Sequence, residues 1–325
     1  LFDRLTAEME AMDFKNASAS DGKKKSNILC DRGEDPNQAG KKESHKCVLF
    51  LCEGDSAANY PMKRIPMLES GKRYYGYLPL KGKLLNVTKA SAEQYANNQV
   101  IADVKNFIGL QERVDYNLQI NLDNLRYGFI CITTDADDDG MHILASVINF
   151  FRERFPGLLQ QNMIGYLRTP MIRVYKLEKK KKRCVARFFS SQAFDEWREI
   201  NDTKNLEIKY LKGLGSSDDK EIEDDLKTAP TMICFYDEKA TENLNVAFSK
   251  YGANDRKKWI AEFRDKFQVE DIISVDISTL MDDDPTKAKK GEKGLIKPQD
   301  ISQLINRELV SYSVASLRRA IPSEF

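Results

Sequence analysis

The 325 residues carry 51 Lys and Arg against 50 Asp and Glu, so at a formal net charge of +1 bulk electrostatics do not mark the chain as a polyanion binder. With 41% hydrophobic and 31% charged residues, the composition is that of a globular protein with a heavily charged surface, long enough for one large α/β domain or two modest ones. No apolar run approaches the roughly 20 residues of a transmembrane helix. The six cysteines lack both CxxC pairing and the dense spacing of a secreted disulfide framework, which points to reduced thiols in an intracellular setting.

In chain order, Leu1, Phe2, Leu5, Met9 and Met12 form one helical stripe that calls for a packing partner. The sequence starts at Leu1 rather than Met and stops at Phe325, so it reads as a piece of a longer protein. Residues 16–46 are polar, include Lys23-Lys24-Lys25, and have the composition of an exposed linker. Cys47-Val48-Leu49-Phe50-Leu51-Cys52 then reads as a buried parallel strand feeding the turn Glu53-Gly54-Asp55-Ser56. A second strand is expected at residues 74–80, and one helix at 92–108, capped by Ser91 and ended by Gly109. Residues 127–134 give another buried strand, which runs into the acidic loop 135–140 and a helix over 141–155 stopped by Pro156.

Strand, loop and helix in this alternation predict an α/β fold, a doubly wound and mostly parallel sheet, with both acidic loops at carboxyl ends of strands where such folds keep their functional crevice. Apolar runs at 171–177 and 185–189 flank the basic residues 179–183 as a hairpin with a charged tip. Mixed elements follow over 205–267, among them a helix at 255–267. Residues 281–297 read as a second exposed linker, and 301–317 as a final amphipathic segment.

The chemistry concentrates in Asp135-Ala136-Asp137-Asp138-Asp139-Gly140. Four carboxylates in five residues repel one another unless a cation neutralises them. In extended chain, Asp135, Asp137 and Asp139 point one way, and Mg2+ favours a few carboxylates completed by water and phosphate oxygens. If the two buried strands are neighbours, Glu53 adds a carboxylate from a second loop, enough for a two-ion site of the kind used in phosphoryl transfer; Mn2+ or Ca2+ would be substitutes. Pro79-Leu80-Lys81-Gly82-Lys83-Leu84-Leu85-Asn86 offers two lysines as point charges for phosphate, with Asn86 at its end. Tyr210-Leu211-Lys212-Gly213-Leu214-Gly215-Ser216-Ser217 is either a phosphate cradle, although it lacks the GK[ST] ending of a P-loop, or, more modestly, a helix start behind two glycines.

Together, Glu53-Gly54-Asp55-Ser56-Ala57, the Pro79 to Asn86 segment, the Asp135 to Gly140 loop and Lys212 to Gly215 stand in the order and spacing of type IIA DNA topoisomerases, which the chain resembles from Ser44 to its end. Leu125-Arg126-Tyr127-Gly128, Phe155-Pro156-Gly157-Leu158-Leu159 and Ile305-Asn306-Arg307-Glu308-Leu309 look more like the eukaryotic or large-DNA-virus form than the bacterial gyrase B subunit. The resemblance implies a Rossmann-like TOPRIM core over residues 46–177 with a C-terminal α+β extension over 178–280. Residues 1–45 would end a preceding transducer region, and 281–325 would lead into a winged-helix domain.

By that resemblance Glu53 and Asp135 bind one Mg2+, Asp135 and Asp137 the second, and Asp139 supports the cluster, while Lys81, Lys83 and Asn86 contact double-stranded DNA. The family cuts both strands by tyrosine attack and passes a duplex through the gap using ATP. Both the tyrosine and the ATP site would lie outside this chain, which alone would be inactive. The parent protein would be a homodimer, intracellular, without a membrane association: nuclear in a cell, or in a virus factory or virion. Residue spacing by itself leaves open another phosphoryl-transfer enzyme, a primase or nuclease, and a non-catalytic metal-binding module. The chain departs from the family pattern at Asp138, where His or Val is usual. Further departures are Lys81 for Arg, Met141 and Leu144 for Ser and Lys, Ser216 for Thr, and the run Ala58-Asn59-Tyr60.

Overall fold

A computed structural model describes residues 2–24, 28, 32–178, 181–189, 191–211, 213–229, 231–266 and 296–320. Its centre is a six-stranded sheet in the order β2-β1-β3-β4-β8-β9, formed by β1 (Val48–Cys52), β2 (Tyr75–Pro79), β3 (Phe129–Thr133), β4 (Ile164–Leu167), β8 (Thr231–Phe235) and β9 (Ile296–Asp300). The first four are parallel, β8 runs antiparallel to β4, and β9 is parallel to β8. A second, antiparallel sheet pairs β5 (Ile172–Glu178) with β6 (Lys181–Phe188) and β7 (Leu206–Tyr210). The expected fold class and hairpin are therefore present.

The unbroken apolar runs of β1 and β3 have a simple cause. Side chains alternate across a strand, so Leu49, Leu51, Ile130 and Ile132 enter one core, while Phe50, Cys52 and Cys131 enter a second core on the opposite face. The first core takes Phe150 and Phe151 from the helix Asp138–Arg154, and the second takes Tyr60 from the helix Asp55–Arg64. Each such large apolar side chain contributes about 1.5–3 kcal/mol by leaving water. Cys47, Cys131 and Cys234 are buried as small core residues; burial holds the Cys131 thiol up at about 12, far from the reactive thiolate.

Three expectations change. The helix at 92–108 is two helices, Ala92–Ala96 and Gln99–Ile108, because the Asn98 side chain accepts from the Ile101 N–H and starts a new one. Ser91 does cap the first, and Gly109 ends the second at φ 88°. The helix expected from residue 141 begins three residues earlier, at Asp138, since the Asp137 carboxylate caps the Gly140 N–H at 2.8 Å. Gly140 is required there: a Cβ would stand 2.0 Å from the Asp135 carbonyl oxygen.

Among the described residues, parts of the polar stretch before β1 also pack against the fold, with Ala17, Ala39 and Ser44 buried. Glu34 and Tyr77 exchange backbone hydrogen bonds of 2.9 and 3.0 Å and cover the free edge of β2. Asp35 takes a 2.6 Å hydrogen bond from the Tyr127 hydroxyl and pairs with fully buried Arg126. Lys105, with no exposed side-chain surface, donates to the Ala17 carbonyl at 2.7 Å and pairs with Asp21 at 2.8 Å and Glu112 at 3.0 Å. By contrast Met9 and Met12 of the first helix, Phe2–Ser18, are 67% and 65% exposed, so these two members of the predicted stripe do not attach it, whereas Ala17 is buried and its carbonyl meets Lys105. The second predicted linker lies outside the described residues except for its last two, which enter β9.

Two substitutions test this framework. Lys105→Met should cost about 3 kcal/mol in chemical denaturation, because it removes the cation of Asp21 and leaves buried Glu112 with Arg154 as its remaining cation. Gly140→Ala should cost about 1–3 kcal/mol by overpacking the helix start, read as a lower unfolding midpoint. Unchanged midpoints in both would contradict these contacts.

Candidate metal and nucleic-acid site

β1 and β3 are adjacent and in register, with Cys52 opposite Thr133, so the residues that follow them emerge together at one edge of the sheet. The Glu53 N–H donates to the Thr133 carbonyl at 3.1 Å, and the Asp135 N–H donates to Glu53 Oε2 at 3.3 Å. Glu53 and Asp135 are thereby brought side by side from loops 82 residues apart. The β2 end joins them: the Leu80 N–H donates to the Cys52 carbonyl at 2.7 Å and the Gly82 N–H to the Glu53 carbonyl at 3.2 Å. Gly82 turns at φ 83°, a left-handed conformation that favours glycine.

Crowding shows in the electrostatics. Burial, then the charges of Asp135, Asp137 and Asp139, push Glu53 above its ordinary value against the opposing Asp135 N–H. Burial and Asp137 likewise raise Asp135, opposed by a hydrogen bond from the Leu214 N–H. Two like charges about 4 Å apart repel by on the order of 4 kcal/mol at an effective dielectric of 20, a cost a cation would reverse.

Each carboxylate has a protein partner. Asp135 Oδ1 accepts from the Leu214 N–H at 2.8 Å, and Gly213 lies so close that a Cβ there would come 2.5 Å from Asp135 Oδ2. Asp137 Oδ1 caps the helix, and Asp139 Oδ1 pairs with Lys83 Nζ at 2.9 Å. Because Asp138 and Asp139 are helical, the period of two that was to align 135, 137 and 139 stops at Asp137. Asp138 instead accepts from the Ser311 hydroxyl at 3.1 Å. Among the described residues no three acidic, histidine or cysteine side chains close into a metal cage. An open set of oxygens fits Mg2+, which takes one or two carboxylates and completes its shell with water and phosphate.

Lys81 is exposed on the same turn as Lys83, whereas Asn86 donates to the Phe248 carbonyl at 3.1 Å and accepts from the Thr88 N–H at 3.1 Å, which anchors the turn. His142 stacks on Tyr312 at 4.4 Å and is depressed to about 4, by burial first and then by Lys83. Gly213 and Leu214 were not among the residues expected to hold metal or DNA, although their segment, Lys212 to Gly215, is one of the motifs that carry the resemblance. Lys212 lies outside the described residues.

The sequence profile of the Toprim domain matches residues 48–170, and that of the C-terminal associated domain of TOPRIM matches 167–317. The chain is 36% identical over 329 residues to DNA topoisomerase 2 of the yeast Meyerozyma guilliermondii, covering 99% of this chain and 21% of that protein. It is 32% identical over 356 residues to DNA topoisomerase 2 of Acanthamoeba polyphaga mimivirus, covering 99% of this chain and 27% of the viral protein. Among solved structures it is similar to the DNA-binding, cleavage and re-ligation domain of Plasmodium falciparum topoisomerase II, with a TM-score of 0.73 and 29% identity over 92% of this chain and 37% of that one. The chain thus spans about a fifth to a quarter of its full-length relatives. With the Toprim domain matched at residues 48–170 and its C-terminal associated domain at 167–317, the chain carries a Toprim domain and its associated domain, and over nearly its whole length it is similar to DNA topoisomerase 2 proteins.

Proposed function

We propose that this chain is the Mg2+-binding half of the DNA cleavage and religation centre of an ATP-dependent type IIA topoisomerase. The observation that carries the reading is the pairing of Glu53 with Asp135 at the carboxyl ends of adjacent parallel strands, with Asp137 one side-chain period further on. Glu53 and Asp135 would hold one ion, Asp135 and Asp137 the second, and Asp139 would support the cluster. Bound there, a divalent ion supplies positive charge beside the attacking and leaving oxygens of a phosphodiester. Mn2+ or Ca2+ would occupy the same oxygens.

The chain's own residues do the rest. The Leu214 N–H orients Asp135, the Gly140 N–H orients Asp137, and the helix Asp138–Arg154 directs the positive end of its dipole at the cluster. Lys81 and Lys83 would meet the phosphates of double-stranded DNA as point charges, while Asn86 would act by shaping their turn. The tyrosine nucleophile and the ATPase would come from other segments of an intracellular homodimer. The names of the relatives favour this reading over a primase, a nuclease or a non-catalytic module. No helix among the described residues is long and apolar enough to cross a membrane.

Asp137→Ala and Glu53→Gln should each abolish Mg2+-dependent DNA cleavage when introduced into the longer enzyme. In calorimetry on the 325-residue chain, each should lose about one of the two ions at millimolar Mg2+, because Glu53 and Asp137 each belong to one ion and only Asp135 is shared. Normal cleavage by either variant would sink the assignment, and a chain that takes up no Mg2+ would favour a purely structural acidic loop.

A further inference from the structure

The turn after β2 and the acidic turn after β3 meet through one ion pair. Lys83 Nζ lies 2.9 Å from Asp139 Oδ1, and the two side chains remain 48% and 40% exposed. The same ammonium sits 5.3 Å from the ring centroid of Tyr312, on the helix Val310–Ala320. Beside it, Ser311 donates to Asp138, and His142 stacks on the Tyr312 ring. Lys83 therefore lies against the acidic loop and the C-terminal helix while keeping about half of its side chain in solvent.

An ammonium is a compact point charge on a long stem, and it neutralises a carboxylate without fixing the geometry of its other oxygen ligands. Placed on Asp139, it relieves the crowding among the aspartates in the way a divalent ion would. Both cations then compete for one electrostatic position. The pair is exposed, so it is easily exchanged: contacts of this kind shift an equilibrium by no more than about fivefold. A bound ion would weaken the attraction of Asp139 for Lys83 and leave the ammonium to a phosphate oxygen arriving at the same edge of the sheet.

We propose that Lys83 is a tethered counter-ion for Asp139 that a divalent cation displaces, so that metal loading releases its ammonium for a DNA phosphate. The proposal rests on the metal-site reading above and adds an order to it. Lys83 opposes metal binding in the chain alone, although it would favour DNA once metal is present.

Calorimetry of the 325-residue chain with Mg2+ alone tests this. Lys83→Met should bind Mg2+ about two- to fivefold more tightly than the unaltered chain, the range an exposed ion pair allows. Lys83→Gln should do the same. Lys81→Met removes an equal charge from the same turn without touching the Asp139 pair, and its gain should be clearly smaller. Unchanged or weaker binding by both Lys83 variants, or an equal gain in Lys81→Met, would overturn the counter-ion role while leaving the metal site standing. Absence of Mg2+ uptake by the unaltered chain and by both Lys83 variants would overturn the two together.

Discussion

Everything at this edge of the sheet follows from one constraint: parallel strands β1 and β3 are neighbours, so the acids that follow them must share a small volume. In a parallel pair the two carboxyl ends point the same way, and in-register pairing of Cys52 with Thr133 leaves no slack between Glu53 and Asp135. Burial raises both groups further by penalising their charged forms. A fold that only needed stability would put apolar or oppositely charged groups there. This one surrounds the acids with donors, namely the N–H groups of Asp135, Leu214 and Gly140 and the ammonium of Lys83. The backbone donors orient the carboxylates without removing the negative charge a cation requires, while the Lys83 ammonium offsets the charge of Asp139.

Much of this was legible in the sequence because the strands are buried on both faces. A continuous run such as Val48-Leu49-Phe50-Leu51-Cys52 can sit only between two cores, and the acids directly after it can sit only at the sheet's edge. Gly109 and Ser91 were equally readable, since a left-handed helix end and a helix cap are local decisions. The failures share a cause as well. The extended reading of Asp139 overlooked that Asp137 can spend an oxygen on the Gly140 N–H and start the helix early. The reading of residues 16–46 as a linker was a judgement of composition, whereas their burial depends on partners far along the chain: Asp21 on Lys105, Asp35 on Arg126 and Tyr127. No local pattern reveals a partner about a hundred residues away.

The same limit explains Tyr60, which from sequence is only an unusual residue after the Glu53 turn. In the fold its hydroxyl donates to Asp225 at 2.8 Å, and Asp225 also pairs with Arg173, a side chain 1% exposed. Arg173 reaches Asp224 at 2.9 Å, and Arg64, one helical turn beyond Tyr60, donates to its hydroxyl at 3.3 Å. Burial lifts Asp225 above its ordinary value, and Arg173 followed by the Tyr60 hydroxyl counteracts it. The network spans the helix that follows Glu53, the first strand of the antiparallel sheet, and the helix Asp219–Thr228.

That span determines how the acidic site can be held. Leu214, whose N–H orients Asp135, packs in the same core as Tyr60 and Ile222, so the turn that grips one carboxylate and the helix that follows the other share a rigid support. Buried ionic networks tolerate little rearrangement, since removing one member leaves a charge uncompensated. The segment around the second sheet is therefore more than an appendage to a metal-binding core: the turn after β7 supplies one wall of the site through Gly213 and Leu214, and Arg173 of β5 ties that region to the helix after Glu53 through Asp225 and Tyr60. A Toprim sheet stripped of its associated domain would keep the acids of β1 and β3 but lose the donor that aims Asp135, and with it one of the four donor contacts that orient these carboxylates.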